Sequence, residues 1–420
     1  MKRLTYLCLW WLLGCVSHSS QQTPPGAQPE PMASPGPSIT PTLPYPLSTP
    51  TPAPLSEYPY LLKSQLSVLA GSEKTGYQDG FASQALFNGI LDIAFNAQKE
   101  LFITEKGTPV DANIIRIRKM GIDKRVSTYL SNQSRGFKDG PLSIAQFKSV
   151  SGLALDAESN LLIADSLDHR IRKITPAGEV STFAGTGQAG TNALTTGPAS
   201  SVALLNPQKI VFVPPHQLYI FESRALRVID TLKMEIQNPL LIRTDPLQEN
   251  KDFNPLHPYR TPLGYPIGEP GDAAFTESDA YILDRSRQLR EGDRSWQVLL
   301  KWNLKTHQLE VFAGGKYTSS VDGKGQEAGF RYLYDIILSK RGYLLVADNN
   351  CLRKVSLDGE VTSLNLCGTA ADYIGLARYP QALQLGTISA LAEDSEGNLI
   401  IAEENRLLKI QMNEKPMPQL

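Results

Sequence analysis

The chain has 420 residues, 41 of them basic (Lys or Arg) and 42 acidic, so its formal net charge is −1. This balance, with no basic run after the first residues, argues against a nucleic-acid-binding protein, because phosphate capture needs clustered positive charge. Apolar residues make up 41% of the sequence, enough for a sizeable core, and four cysteines are too few for a disulfide scaffold.

Residues 1–14 have the features of a signal peptide. Lys2 and Arg3 provide the positive start, and residues 4–13 form an apolar stretch about half as long as a transmembrane helix requires. Gly14 and Cys15 come next and, with the two leucines before them, resemble the bacterial lipobox. The resemblance implies cleavage between Gly14 and Cys15 and attachment of a lipid such as palmitate to Cys15. The alternatives are an uncleaved anchor and an ordinary signal peptide.

Residues 15–57 are predicted to be the lipidated N-terminus and a disordered, proline-rich tether. Prolines from Pro24 to Pro54 alternate with small polar residues, and about forty residues of polyproline II would span on the order of 100 Å. A ligand for a proline-binding domain is the alternative. Val16 resembles the signal that sorts lipoproteins to the outer membrane, so we expect a lipid-anchored cell-envelope protein, at the outer membrane or the cell surface.

The sequence repeats six times within residues 58–412, ahead of a short tail at 413–420. Each repeat contains an apolar run that ends in or beside an acid, preceded by a shorter apolar segment and followed by an alternating one. The runs are residues 101–105, 161–165, 218–222, 281–284, 344–348 and 399–403. Period-two alternation predicts strands, and four short strands at a spacing of roughly 55–64 residues form one blade of a β-propeller.

The second repeat shows the shared motifs best. They are Asp139-Gly140, Ala145, Phe147, Gly152, Asn160, Asp165 and the alternating segment 169–174. These motifs, with their counterparts elsewhere in the chain, resemble NHL repeats. The resemblance implies an all-β protein, a six-bladed β-propeller with four-stranded antiparallel blades. The fourth repeat matches poorly, since a long connection occupies residues 237–276.

The two ends of the repeat region are incomplete in complementary ways. Residues 66–71 look like the end of a repeat without its beginning, and residues 407–410 close a repeat that lacks its last strand. We therefore expect the N-terminal strand to complete the last blade, which would leave no open sheet edge at the seam.

Six acids occupy the ends of the apolar runs. They are Glu105, Asp165, Glu222, Asp284, Asp348 and Glu403. One interpretation is a ring of carboxylates that binds a divalent cation such as calcium at the mouth of the channel. The interpretation that we favour is structural: each acid accepts hydrogen bonds from its own turn and pairs with an arginine on the next strand. The candidate arginines are Arg116, Arg170, Arg224, Arg353 and Arg406.

Propellers that the chain resembles include enzymes, among them calcium-dependent lactonases and a zinc-dependent lyase. Zinc catalysis commonly needs about three converging ligands, often histidines. His169 and His257 are predicted on one rim and His216 and His307 on the other, so no histidine triad forms. A calcium site with oxygen ligands from scattered loops stays open. We name no metal ligands and no catalytic residues.

Cys351 and Cys367 flank a predicted turn and are expected on neighbouring strands. Two interpretations stay open for them: a disulfide, or two buried free thiols, because a register shift of two residues would exceed disulfide reach.

The sequence favours a binding or scaffold protein over an enzyme. The long connection in the fourth repeat contains Tyr259, Arg260 and Tyr265, which are residue types suited to contact with a partner protein, peptide or glycan. Packing of this segment over the channel is its structural alternative. We expect a monomer attached to the membrane through its lipid. The alternative function is a calcium-dependent, lactonase-like hydrolase or lyase with a site in the channel.

Overall fold

The computed structural model describes residues 61, 65–106, 115–132, 134–191, 195–223, 225–239, 269–287, 296–365, 367 and 383–412. Gly14, Cys15 and the predicted signal peptide, tether and tail lie outside these residues and stay predictions. Within the described ranges no helix is long and apolar enough to span a membrane. The helical elements found there are three 3₁₀ turns, Ala82–Gln84, Ser166–Asp168 and Gly325–Glu327.

Six antiparallel sheets form the blades of a β-propeller, which confirms the predicted fold class. The strands up to the third blade are β1 (Leu66–Gly71), β2 (Gly80–Phe81), β3 (Ile90–Phe95), β4 (Leu101–Glu105), β5 (Ile115–Met120), β6 (Arg125–Asn132), β7 (Gly140–Pro141), β8 (Leu153–Leu155), β9 (Leu161–Asp165), β10 (Arg170–Ile174), β11 (Glu179–Ala184), β12 (Gly197–Pro198), β13 (Lys209–Val213), β14 (Gln217–Glu222), β15 (Ala225–Asp230) and β16 (Glu235–Gln237).

Blades four to six follow in the same order. Their strands are β17 (Pro270–Phe275), β18 (Asp279–Arg287), β19 (Trp296–Asn303), β20 (Leu309–Gly314), β21 (Gly323–Lys324), β22 (Leu333–Leu338), β23 (Leu344–Asp348), β24 (Cys351–Val355), β25 (Glu360–Ser363), β26 (Ala390–Glu393), β27 (Leu399–Ala402) and β28 (Arg406–Ile410). The first long strand of each blade lies innermost, and the fourth lies at the perimeter. The rim at which the second strands end is called the upper rim here.

Among the described residues, four blades carry a short fifth strand that the sequence did not predict. β2, β7, β12 and β21 are two residues long and pair with the outermost long strand of their own blade. Three of them begin at the glycine of an Asp-Gly pair. Asp79, for example, accepts a hydrogen bond from Thr128 N at 3.0 Å and so holds the incoming chain against β6. The connection between blades therefore runs along the outside of the sheet.

The hydrophobic core lies between the blades. Each of six apolar clusters contains buried side chains from two neighbouring blades, and together the clusters cover all six junctions. At the seam, Ala70 and Leu407 of the last blade pack with Ile93 and Ile103 of the first. A fully buried aliphatic side chain stabilises the fold by roughly 1.5–3 kcal/mol, so the junctions supply most of the cohesion of the ring.

The ring closes as predicted from the sequence. β1 pairs with β28 in antiparallel register, Leu66 opposite Ile410 and Gly71 opposite Arg406, and so completes the last blade. The chain before β1 is also held: Leu61 donates its N–H to the Leu364 carbonyl and accepts from Leu383 N, both at 2.7 Å.

Candidate functional site

The six repeat acids are buried at the upper rim. Their exposed fractions lie between 0 and 5% for Glu105, Asp165, Glu222, Asp284, Asp348 and Glu403. All six accept hydrogen bonds from the backbone of the segment that leads into their own blade. Asp165 accepts from Ser149 N at 2.7 Å, and Asp348 accepts from Arg331 N at 2.8 Å. The acids therefore do not form an open ring of carboxylates around the channel.

Arg118 on β5 shows how these acids are neutralised. Its guanidinium donates to Glu105 Oε2 at 3.2 Å and to Asp79 Oδ1 at 2.7 Å. It also donates to the carbonyls of Leu86 and Gln78, at 3.1 and 2.9 Å. We call this arrangement a rim knot: a buried arginine of the third strand, the acid that ends the second strand, and the aspartate of an Asp-Gly pair. Burying such a charge is tolerated only because it is paired and hydrogen-bonded.

Rim knots of the same composition occur in blades two and five. Their members are Arg172 with Asp165 and Asp139, and Arg353 with Asp348 and Asp322. In all three knots the guanidinium lies over a buried phenylalanine of the connection, with centroid distances of 4.7–5.5 Å to Phe87, Phe147 and Phe330. The repeated Asp-Gly, Phe and Arg positions thus have one shared physical role.

The predicted arginine partners were wrong for the first two blades. Arg116 stands directly opposite Glu105 in the sheet register, but its guanidinium lies 3.5 Å from the ring centre of Tyr77. Arg170 pairs with Asp168 instead of Asp165. The acids reach the arginine two residues further along, because alternate residues of a strand share one face and a long side chain spans the diagonal.

Two of the predicted pairs are present. Arg353 binds Asp348 at 3.0 Å, and Arg406 binds Glu403 at 2.5 Å. Arg224 lies outside the described residues. In blade three, Glu222 binds Arg227 at 3.1 Å.

Burial changes the pKa of three of the repeat acids. It raises the pKa of Asp165 to about 6, against the hydrogen bonds from the Ser149 and Lys148 backbone, which lower it. Burial likewise raises the pKa of Glu105 and Glu222, although the paired arginines Arg118 and Arg227 oppose the shift.

A second group of charges lies in the central channel, where the sequence had indicated nothing. Lys209 on β13 extends its ammonium group to three aspartates of the innermost strands of other blades. The distances from Nζ are 2.8 Å to Asp92 on β3, 3.0 Å to Asp335 on β22 and 3.5 Å to Asp272 on β17. We call these four residues the channel cluster. They join blades one, three, four and five.

Backbone irregularities place the three aspartates in the channel. The register of the innermost strand shifts at residues 90–92, 270–273 and 333–335, so the aspartates of blades one, four and five each lie at a β-bulge. Bulges re-aim side chains in this way. Asp92 then reaches Leu153 N of the next blade at 3.0 Å, and Asp335 reaches Leu391 N at 2.6 Å.

Small residues fill the corresponding positions of the remaining blades. Gly152 precedes Leu153, and Ala390 precedes Leu391. A Cβ at Gly152 would lie 2.7 Å from the Gln208 carbonyl oxygen, so only glycine fits there without a shift. The sequence signal was therefore a charged or small residue directly before each innermost apolar triplet.

A cavity of about 330 Å³ adjoins the channel cluster and has otherwise apolar walls. The donors of the cluster do not fit calcium, because the Lys209 ammonium occupies the point on which the three carboxylates converge. Within the described ranges, no group of three or more His, Cys, Asp or Glu side chains has the arrangement of a metal site.

The remaining predicted residues are placed as follows. Cys351 and Cys367 form a disulfide with their Cα atoms 4.9 Å apart. His169 accepts a hydrogen bond from Asn206 N through Nδ1 at 3.1 Å, and so caps a neighbouring connection. The proposed contact residues Tyr259, Arg260 and Tyr265 lie outside the described residues.

Comparison with known sequences shows a distant similarity. No family model matches the chain. It is 25% identical over 293 residues to Protein SUPPRESSOR OF QUENCHING 1, chloroplastic, from Arabidopsis thaliana; the match covers 66% of the chain but only 26% of that relative. The chain thus spans about a quarter of the length of this curated relative.

Solved structures resemble the chain in fold. An auxiliary nutrient binding protein from Bacteroides ovatus matches with a TM-score of 0.55 at 10% identity, over 83% of this chain and 76% of its own. A protein of unknown function from Bacteroides thetaiotaomicron matches with a TM-score of 0.54 at 17% identity, over 82% and 74%. Together with the sheet order, these matches establish a six-bladed β-propeller.

Proposed function

We propose that this protein is a lipid-anchored propeller of the cell envelope that binds a protein, peptide or glycan partner through its upper rim. The lipobox-like Gly14-Cys15 pair and the proline-rich segment support the anchor and the tether. The Asp-Gly, Phe and Arg positions of the rim knots support the assignment of the blades to the NHL type, since each motif residue has a structural task.

The observation that carries the binding function is an aromatic pair at the upper mouth of the channel. Tyr332 is 52% exposed and Tyr334 is 39% exposed, so both leave a large part of an aromatic side chain in contact with solvent. Tyr334 lies at the bulge before Asp335, and Arg285 of the neighbouring blade donates to its carbonyl at 2.6 Å. Exposed tyrosines beside arginine are typical of recognition surfaces.

The channel, by contrast, offers little to a reaction. The carboxylates of the channel cluster bind Lys209 and backbone N–H groups, so these three described groups are not free to act as a nucleophile or general base. A calcium-dependent hydrolase or lyase would need oxygen ligands that converge on a cation, and this arrangement does not favour that alternative. The name of the B. ovatus protein, auxiliary nutrient binding protein, also describes binding, but that protein shares only the fold.

The binding function is tested by quantitative cross-linking of the full-length protein in envelope preparations. The Tyr332→Ala/Tyr334→Ala variant should lose most of its cross-linked partner. The matched control is Ile122→Ala, because Ile122 is 76% exposed on the opposite rim. The control should keep its partner, and an unchanged amount of cross-linked partner in the tyrosine variant would contradict the proposal.

The anchor is tested separately. Cys15→Ser should abolish incorporation of labelled palmitate and move the protein from the membrane fraction to the soluble fraction. Unchanged labelling would refute lipidation at Cys15.

A further inference from the structure

We propose that the folded ring keeps one proton in the channel, on Asp272 and shared with Asp335, and that loss of this proton at alkaline pH weakens the ring. This inference concerns the channel cluster and is independent of the proposed binding function.

The charges of the channel cluster do not balance. Three carboxylates and one ammonium carry a net charge of −2 when all four are ionised, and the aspartate side chains are only 2–3% exposed. Uncompensated charge is expensive in such an environment, and a buried acid then takes up a proton. The site therefore needs a proton, unless another cation enters.

The geometry selects Asp272 as the acid that holds the proton. Its carboxyl is 3.5 Å from Lys209 Nζ, whereas Asp92 and Asp335 approach to 2.8 and 3.0 Å. The Asp272 and Asp335 carboxyls are also close enough for a hydrogen bond between them. Ionised carboxylates only accept hydrogen bonds, so one member of this pair must carry the hydrogen.

Groups on the adjoining strands do not replace the proton. Across the channel, Asp92 and Asp335 add negative charge, and Lys209 is shared among all three acids. On β18, which pairs with β17, Arg285 lies on the upper-rim side and donates to the Tyr334 carbonyl, while Asp284 accepts from Glu269 N. On β14, Glu222 is neutralised by Arg227. The neighbouring positions of β8 and β26 carry no charge.

The titration of the acids follows the same pattern. Burial raises the pKa of Asp272 well above its ordinary value; Lys209 opposes this shift, and the Asp335 and Asp92 charges reinforce it. Burial would also raise the pKa of Asp335, but Lys209 and the hydrogen bond from Asp272 bring that pKa below its usual value. The proton therefore stays on Asp272.

The sign of the pH effect follows from this shift. Asp272 has a higher pKa in the folded than in the unfolded chain, so its stabilising effect is complete below the unfolded pKa. It is lost as pH rises toward the folded pKa, and in that interval the unfolding constant increases about tenfold per pH unit for one proton. At alkaline pH the proton leaves and the cluster becomes more negative.

The test compares the full chain with Asp272→Asn by urea unfolding from about pH 6 to about pH 9, above the range of ordinary aspartates. Asparagine keeps the acceptor for Ala273 N and can donate to Asp335, so it mimics the protonated acid. In the natural protein the unfolding constant should rise with pH, by about tenfold per pH unit more than in the variant. Asp279→Asn is the control: it changes an aspartate of the same blade outside the cluster and should leave the slope unchanged. Equal slopes for the natural protein and Asp272→Asn would overturn the proposal.

A second measurement does not depend on a variant that folds. The infrared spectrum of the natural protein at about pH 8 should contain the carbonyl stretch of a protonated carboxyl group, since ordinary aspartates and glutamates are ionised there. Unfolding under the same conditions should release about one proton, measured by calorimetry in buffers of different ionisation enthalpy. Absence of the band and of proton release would also overturn the proposal.

Discussion

Buried charge occurs in two regions of this propeller, the rim knots and the channel cluster, and the regions are built differently. A rim knot lies within one blade and recurs with the same residue types. One of its two acids stays half exposed: Asp79, Asp139 and Asp322 have side-chain exposures of 51, 39 and 50%. The channel cluster occurs once, takes its members from four blades and buries all three acids. Among the buried charges, the recurring contacts thus lie within single blades, and the contact that occurs once links four blades of the ring.

The largest expected effect comes from breaking the other contact that occurs once, the seam. Deletion of residues 65–71 removes β1, exposes the edge of β28 and uncovers the apolar cluster around Leu407. We expect loss of cooperative unfolding, followed by circular dichroism on heating. Deletion of the tail at 413–420 is the matched control and should melt like the full chain. A chain without residues 65–71 that melts normally would refute the closure.

Removal of the central cation should have the next largest effect. Lys209→Met leaves three buried carboxylates without their ammonium, and breaking a buried ion pair in this way costs about 5 kcal/mol. The free energy of unfolding is measured by urea denaturation at neutral pH. Lys324→Met is the control, because Lys324 pairs with Asp358 on the surface and both side chains are well exposed. Equal losses in the free energy of unfolding for the two variants would show that the channel cluster does not stabilise the ring.

Loss of a single rim knot should lower the free energy of unfolding less than loss of Lys209. Arg172→Met leaves Asp165 with its backbone donors and Asp139 with access to water, so we expect a loss of about 3 kcal/mol in the free energy of unfolding. Leu300 and Leu408 occupy the equivalent position in blades four and six.

These natural leucines supply the sharper comparison for the knot. Arg172→Leu combined with Asp165→Asn should recover part of the lost stability in the same urea experiment, because no unpaired charge stays buried. No recovery in the double variant would show that the arginine acts through packing instead of charge.

The smallest expected effect concerns the disulfide of blade five. Cys351 replaces the residue that is Arg116 or Arg170 in the first two blades. Replacement of both cysteines by serine should lower the free energy of unfolding by about 2 kcal/mol, since the bridge closes a short loop. Alkylation of the unreduced protein followed by mass measurement should show neither thiol labelled, and two labelled thiols would disprove the bond.

The same contrast explains what the sequence could predict. The six runs that end at or beside an acid recur, so the strands, the blade number and the closing strand could be inferred from one chain. The knot partner was misplaced by two residues because Arg116 and Arg118 share a face of β5, and alternation alone does not choose between them. The structural role of the six acids could be predicted because an acid recurs at the same position in every repeat.

The channel cluster could not be predicted in this way. Lys209 differs in type and charge from Asp92, Asp272 and Asp335, and the four positions are recognised as equivalent only once the bulges are known. Gly152 and Ala390 at the other two positions hide the pattern further. Contacts across a closed ring combine residues from different repeats, and a repeat-by-repeat comparison treats such residues as variation.

If the protein is anchored through its N-terminus, as we propose, the attachment of Leu61 has a mechanical consequence. Tension that arrives through the preceding chain meets the two short hydrogen bonds of Leu61 before it reaches the seam strand. Those bonds anchor it to the segments on either side of residues 366–382. The two Leu61 hydrogen bonds would therefore break first under tension. The β1–β28 pairing that closes the ring would bear force only after they have broken.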